Sequence, residues 1–208
     1  MISADQAIER LRQGNHRYVT DDPSRVLHSE SIFRRRLIQG QSPFAVILGC
    51  SDSRAPVELL FDQGPGDLFV VRVAGNIAGP DQVGSIEFAV AAFGTPLVVV
   101  LGHTYCGAIN ASIDLLATPT EILSPHIRSI ANRILPSIKP LMEVTPPLER
   151  EDLVRRSVRR NVSAGVLRLR ETSDVLARSI RENGLLIVGA DYSLDTGVVD
   201  FFEGLPGS

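Results

Sequence analysis

Four short apolar runs set the plan of this chain: Phe44-Ala45-Val46-Ile47-Leu48, Leu68-Phe69-Val70-Val71-Arg72-Val73, Leu97-Val98-Val99-Val100-Leu101 and Leu185-Leu186-Ile187-Val188. Each is rich in β-branched residues, shows little alternation, and stops at or near a glycine or a polar residue. Strands of a parallel sheet read this way, because both sides of the pleat face apolar neighbours. Segments of helical spacing separate several of the runs, notably Ser85 to Phe93 and Ala108 to Ala117. The alternation predicts an α/β fold: a mostly parallel β-sheet flanked by helices, with chemistry in the loops at the carboxyl ends of its strands.

Outside these runs the pattern changes. Ser3 and Gln6 have capping-box spacing, and Ile8, Leu11, Asn15 and Tyr18 follow three or four residues apart. Only part of that stripe is apolar, so this helix is expected to pack loosely on its own chain or to lie against a partner. Asp21-Asp22-Pro23-Ser24 breaks it, and a second helix is expected from about Glu30 to Gln39, ending at Gly40. Together they would make an N-terminal helical arm over about residues 1–40. The proline-rich stretch from Thr118 to Glu149 reads as an irregular excursion with one helix, roughly His126 to Leu135. A long charged helical region follows, about Glu149 to Asn183, with Gly184 as its stop. The turn Ser193-Leu194-Asp195-Thr196-Gly197 leads into a last strand, Val198 to Phe202. There is no internal repeat or linker, and 208 residues at 44% hydrophobic content fit one domain over residues 1–208.

Composition narrows the function. No apolar stretch reaches the roughly 18–20 residues of a membrane span. Met1 to Gln6 shows neither a basic nor an apolar leader region, so the cytoplasm is the expected compartment. A formal charge of −3 offers nucleic acid no general attraction. The clusters Arg34-Arg35-Arg36 and Arg155-Arg156 with Arg159-Arg160 have no interleaved aromatics, and Glu149, Glu151 and Asp152 stand near the second. They read as solvated helix faces, and nucleic acid is not an expected partner. The only cysteines are Cys50 and Cys106, which a reducing compartment would keep unpaired.

Their neighbours give those cysteines a further meaning. The first run ends in Gly49-Cys50-Ser51-Asp52-Ser53-Arg54, and the third in Gly102-His103-Thr104-Tyr105-Cys106-Gly107. If the two strands are neighbours, Cys50, His103 and Cys106 converge. Two thiolates and an imidazole suit zinc with one coordination position left over, the arrangement of a catalytic site. A lone H-x-x-C usually binds nothing, and two buried thiols acting as small apolar residues is the plainer alternative. Asp52 and Arg54 can form a bidentate pair on a tight loop, either as an ordinary salt bridge or as a carboxylate aimed at a metal-bound water.

These two signatures, Cys50-Ser51-Asp52-Ser53-Arg54 and His103-x-x-Cys106-Gly107, resemble those of the β-class carbonic anhydrases. So do Pro65 to Arg72, Ala74-Gly75-Asn76, Gly84 to Val90 and Gly189 to Gly197, so the likeness spans nearly the whole chain. The resemblance implies one Zn2+ per chain on Cys50, His103 and Cys106. It implies catalytic roles for Asp52 and Arg54, and substrate contacts from Gln41, Phe69, Ala74, Phe88 and the backbone of Gly107. It also implies a homodimer or homotetramer with the active site at the dimer interface. The reaction would be the reversible hydration of CO2 to bicarbonate, with zinc-bound hydroxide as nucleophile and Asp52 orienting it. Phe88 stands where many relatives have tyrosine, and Val73 where many have asparagine. No histidine is placed to carry the released proton, and Tyr105 is the remaining candidate. Many relatives close the site by swinging the aspartate onto zinc, helped by a bicarbonate pocket that uses a tryptophan. Ile47 holds that position here, which predicts an open site at neutral pH. Arg72, inside an apolar strand, is expected to find an interface carboxylate. Carbon disulfide or carbonyl sulfide hydrolysis on the same scaffold, and a non-catalytic zinc protein, are the competing readings.

Overall fold

The apolar runs fold as the strands β1 (Ala45–Gly49), β2 (Leu68–Arg72), β3 (Leu97–His103) and β4 (Leu186–Tyr192), joined by β5 (Val199–Glu203). The computed structural model describes residues 2–22, 38, 40–118 and 124–205, so the helix expected over Glu30 to Gln39 falls almost wholly outside it. The strands make one sheet in the order β2-β1-β3-β4-β5, parallel except for the antiparallel β4–β5 pair. Every residue of β1 and β3 is buried, which is why neither run alternates. On one face Ile47, Val99, Leu101, Val188 and Ala190 meet Ile8, Leu11, Leu60 and Phe61. On the other, Val46, Leu48, Val98, Val100 and Ile187 meet Ile86, Ala89, Val162, Val166 and Leu169.

The helices that cover these faces depart from the sequence expectation in instructive ways. Helix α1 (Ala4–Val19) starts in a complete Ser3–Gln6 capping box. It is not loosely packed: Ala7 and Leu11 are fully buried, and Asn15 ties it to three backbone groups. Asn15 Nδ2 donates to the carbonyls of Leu60 (3.1 Å) and Gly197 (2.9 Å), and its Oδ1 accepts from Val199 N–H (2.9 Å). The polar flaw in the stripe is thus an attachment point. Short α2 (Val57–Leu60) was unforeseen, and α3 (Pro80–Phe93) begins five residues earlier than expected because Pro80 takes its first position.

Helix α4 (Gly107–Ala117) follows Cys106 directly. Helix α5 (Pro125–Met142) runs through Pro136 and Pro140, well past Leu135. The long charged region divides into α6 (Arg150–Thr172) and α7 (Asp174–Asn183). Ser173 makes the break: its hydroxyl accepts from Leu176 N–H (3.0 Å) and donates to Glu87 (2.6 Å). Helix α6 lies very close to β3, where a Cβ on Gly102 would sit 2.7 Å from Val162 and 2.9 Å from Val158. A third apolar cluster, with Ile109, Ile113, Ile134, Ile138 and Val158, packs under the carboxyl end of the sheet around Cys50 and Cys106. Among the described residues no helix is long and apolar enough to cross a membrane.

Candidate metal centre

Strands β1 and β3 run parallel with Gly49 beside Leu101, so the residues just past their carboxyl ends share one edge of the sheet. Cys50 leaves β1, His103 ends β3, and Cys106 caps α4. The metal-ligating atoms of these three buried residues all lie within 4.8 Å of one another.

The histidine is preset for a metal. Its Nδ1 lies 2.8 Å from the carbonyl of Thr104, which requires the N–H there and leaves the Nε2 lone pair free. That Nε2 is buried without a hydrogen-bond partner. An orphaned imidazole nitrogen beside two sulfurs is costly unless a cation fills the gap, and this donor set fits a zinc ion.

The sulfurs share that logic. The hydrogen bond from the Cys106 thiol holds Cys50 well below the usual thiol range against the effect of burial, with further help from His103. The same pairing, together with burial, pushes the Cys106 thiol up, opposed by the backbone N–H groups of Ile109 and Ala108 in the first turn of α4. One thiolate therefore forms readily, and the second forms when a cation replaces the shared proton. Cys50 Sγ also accepts from Gly75 N–H (3.4 Å), and Asn161 of α6 donates to the Gly75 carbonyl (2.8 Å). Gly75 has φ of 68°, and a Cβ there would lie 2.8 Å from Ile134.

Beside the cluster, Arg54 grips Asp52 three times: Nε and the backbone N–H to Oδ1, each at 3.0 Å, and Nη2 to Oδ2 at 2.7 Å. This guanidinium holds the Asp52 carboxyl well below the usual carboxylate range. Asp52 Oδ2 is 4.0 Å from His103 Nε2. Arg54 Nη2 further donates to the Tyr105 carbonyl (3.2 Å). Arg72 meets no carboxylate among the described residues. Its Nε donates to the Cys50 carbonyl (2.9 Å) and its Nη2 to that of Asp52 (2.6 Å), because these two carbonyls face the end of β2.

Of the expected substrate contacts, the chain brings only Ala74 and Gly107 to the cluster: Ala74 precedes Gly75, and Gly107 follows Cys106. Phe69 pairs in register with Val46, four residues before Cys50, or about 13 Å along the strand. Its ring packs at a tilt against those of Phe88 and Phe93 of α3, and Phe88 is 57% exposed. Gln41 precedes β1 at its amino end and is exposed. Sequence reasoning missed the support given by Gly75, Asn161 and the turn at residues 193–197. The Gly189–Gly197 motif marks that turn, whereas no local pattern marks Asn161.

A parallel α/β sheet offering a buried Cys–His–Cys set with an arginine-locked carboxylate beside it has the build of an open-site metalloenzyme. The comparisons with known proteins make this specific. The carbonic anhydrase family model matches residues 45–199. Carbonic anhydrase 2 of Mycobacterium tuberculosis is 40% identical over 192 residues, covering 92% of this chain and 89% of that one. The carbonic anhydrase of Mycolicibacterium smegmatis is 41% identical over 196 residues, covering 93% and 91%. The solved β-carbonic anhydrase CcaA has the same fold, with a TM-score of 0.75 over 97% of this chain and 94% of that one at 24% identity. The chain belongs to the β-class carbonic anhydrase family and is an enzyme of that class.

Proposed function

We propose that this enzyme hydrates CO2 reversibly to bicarbonate and a proton at one Zn2+ held by Cys50 Sγ, His103 Nε2 and Cys106 Sγ. The observation that carries the reading is the buried, unpartnered His103 Nε2 beside the two sulfurs. Zinc bound there supplies the Lewis acidity that brings ionisation of a water to near neutral pH.

The chain's own residues do the rest. Arg54 keeps Asp52 ionised, so the carboxylate can only accept. Asp52 Oδ2 takes a hydrogen bond from the reacting water and turns its lone pair toward the CO2 carbon. With Arg54 bonded to both carboxylate oxygens, the site is open at neutral pH. The carbonyls of Cys50 and Asp52 are fixed by Arg72, which keeps the loop from drifting. The backbone of Gly107 and the side chain of Ala74 line the near wall.

Gln41, Phe69 and Phe88 lie toward the other end of the sheet edge, yet Phe88 is exposed and β2 is an edge strand among the described residues. The reading therefore includes a homodimer, alone or within a tetramer, in which the partner subunit supplies these three groups to the pocket. Both cysteines are unpaired, which suits the cytoplasm.

Zinc analysis with stopped-flow CO2 hydration tests the reading. One zinc per chain and saturable hydration are expected, with both lost in Cys106→Ser. Full hydration by zinc-poor protein would overturn it, and a fully active monomer by light scattering would overturn the shared pocket.

A further inference from the structure

Between two of the cluster residues, the loop from β3 to α4 carries Tyr105 at φ of 57°. A non-glycine residue in the left-handed region is held there by its surroundings, and such strain gathers at sites that need fixed geometry. The surroundings here are one turn. Tyr105 O–H donates to Asp195 Oδ1 (2.9 Å). One residue earlier, Thr104 N–H donates to the Tyr192 carbonyl and Thr104 Oγ1 accepts from Leu194 N–H, both at 2.9 Å. The turn is itself firmly built: Gly197 N–H donates to the Ser193 carbonyl, Ser193 N–H to that of Val198, and Asn15 of α1 donates to the Gly197 carbonyl, each at 2.9 Å.

The strained peptide is used on its other side. Its carbonyl accepts from Arg54 Nη2 (3.2 Å), the nitrogen that also holds Asp52 Oδ2 at 2.7 Å. The carbonyl of Thr104 fixes the His103 tautomer through Nδ1 (2.8 Å).

We propose that Tyr105 and Asp195 are positioning residues. Their bond locks the loop so that the Tyr105 carbonyl steadies Arg54, and with it Asp52, while His103 and Cys106 stay converged. The inference rests on the reading of Cys50, His103 and Cys106 as the zinc ligands. In this assignment the Tyr105 hydroxyl is engaged by Asp195 and serves the loop rather than carrying the released proton. Without the phenol bond the peptide relaxes from its left-handed conformation, Arg54 loses a contact, and both the carboxylate and the ligand loop become mobile.

The test is a double-mutant cycle on the zinc-loaded enzyme with Tyr105→Phe, Asp195→Asn and both together. Each single substitution is expected to lower kcat by about 3- to 10-fold, the range set by one exposed hydrogen bond that holds a strained loop. KM should hold within about twofold, and zinc loss to excess chelator should quicken by a similar factor. The double variant should match either single one, because both remove the same bond. Wild-type kcat and chelator rate in Tyr105→Phe would overturn the proposal, as would losses that multiply in the double variant. A purely structural bond would lower the melting temperature alone. The two readings fail separately: zinc-loaded protein that does not hydrate CO2 refutes the reaction, while the chelator rates still decide the pairing. A chain that binds no zinc overturns both.

Discussion

Asp191 is a carboxylate in a place that resists charge. It lies on the face of β4 that α6 covers, with its Oδ1 buried and unpartnered. In register opposite it stands Asp200, which Arg159 already holds at 2.7 Å. Burial pushes Asp191 up to about 6; Arg159 and His103 oppose that and Asp200 adds to it. Against an ordinary value of about 3.9, the folded state binds this proton about two units more tightly, or about 3 kcal/mol. An acid whose folded value is raised stabilises the fold only while protonated. Its contribution is therefore complete below about pH 4 and is lost as pH rises toward about 6. Above that range wild type carries the full cost of a buried charge.

Asp191→Asn removes the charge and keeps the shape, and the new amide can donate to Asp200 across the strands. It should leave stability nearly unchanged at pH 4 and raise it by up to about 3 kcal/mol at pH 8. Urea unfolding of both proteins at several pH values reads the difference directly, since effects common to both, zinc release included, cancel. A difference independent of pH, or a variant less stable than wild type at pH 8, would refute the reasoning.

Asp52→Asn should retain zinc yet lower kcat roughly a thousandfold, as stopped-flow hydration with elemental analysis would show; a loss below tenfold would remove Asp52 from the chemistry. Asn15→Ala strands the Val199 N–H and frees the end of α1, so the melting temperature should fall by roughly 5–15 °C in a calorimetric scan. Gly102→Ala drives a Cβ into Val158 and Val162, and should destabilise the fold by about 1–3 kcal/mol in urea titrations; an unshifted midpoint would mean that α6 can move away.

The sheet was legible because its central strands are buried on both faces, which leaves unbroken apolar runs rich in β-branched residues, unlike the alanine-rich apolar run Phe88 to Phe93 of α3. The cluster was legible for the same reason: the runs at Leu48 and Leu101 end in chemistry, and adjacent parallel strands deliver their ends to one place. What escaped the sequence was long-range and polar. Asn15 looked like a defect in a stripe until its three backbone partners were visible. Ser173 interrupts a region whose charge pattern runs on unchanged, and its partner Glu87 lies 86 positions away. The expected pocket residues Phe69 and Phe88 stand apart from the cluster in one chain, a fact of register that no motif encodes.

Gly75 is held from two sides: its N–H donates to the Cys50 sulfur, and its carbonyl, part of the following peptide group, accepts from Asn161. A hydrogen bond to a thiolate withdraws electron density from it, and the bond is strong only while its donor stays aimed at the sulfur. Gly75 itself cannot be exchanged without a collision with Ile134. Position 161, on a helix that carries none of the three cluster residues, therefore helps to hold the left-handed Gly75 so that its N–H stays aimed at Cys50. Removing its amide would loosen that aim, leaving the sulfur more electron-rich and any water bound beside it less acidic. The working pH of the enzyme can thus be retuned from α6 without touching a ligand.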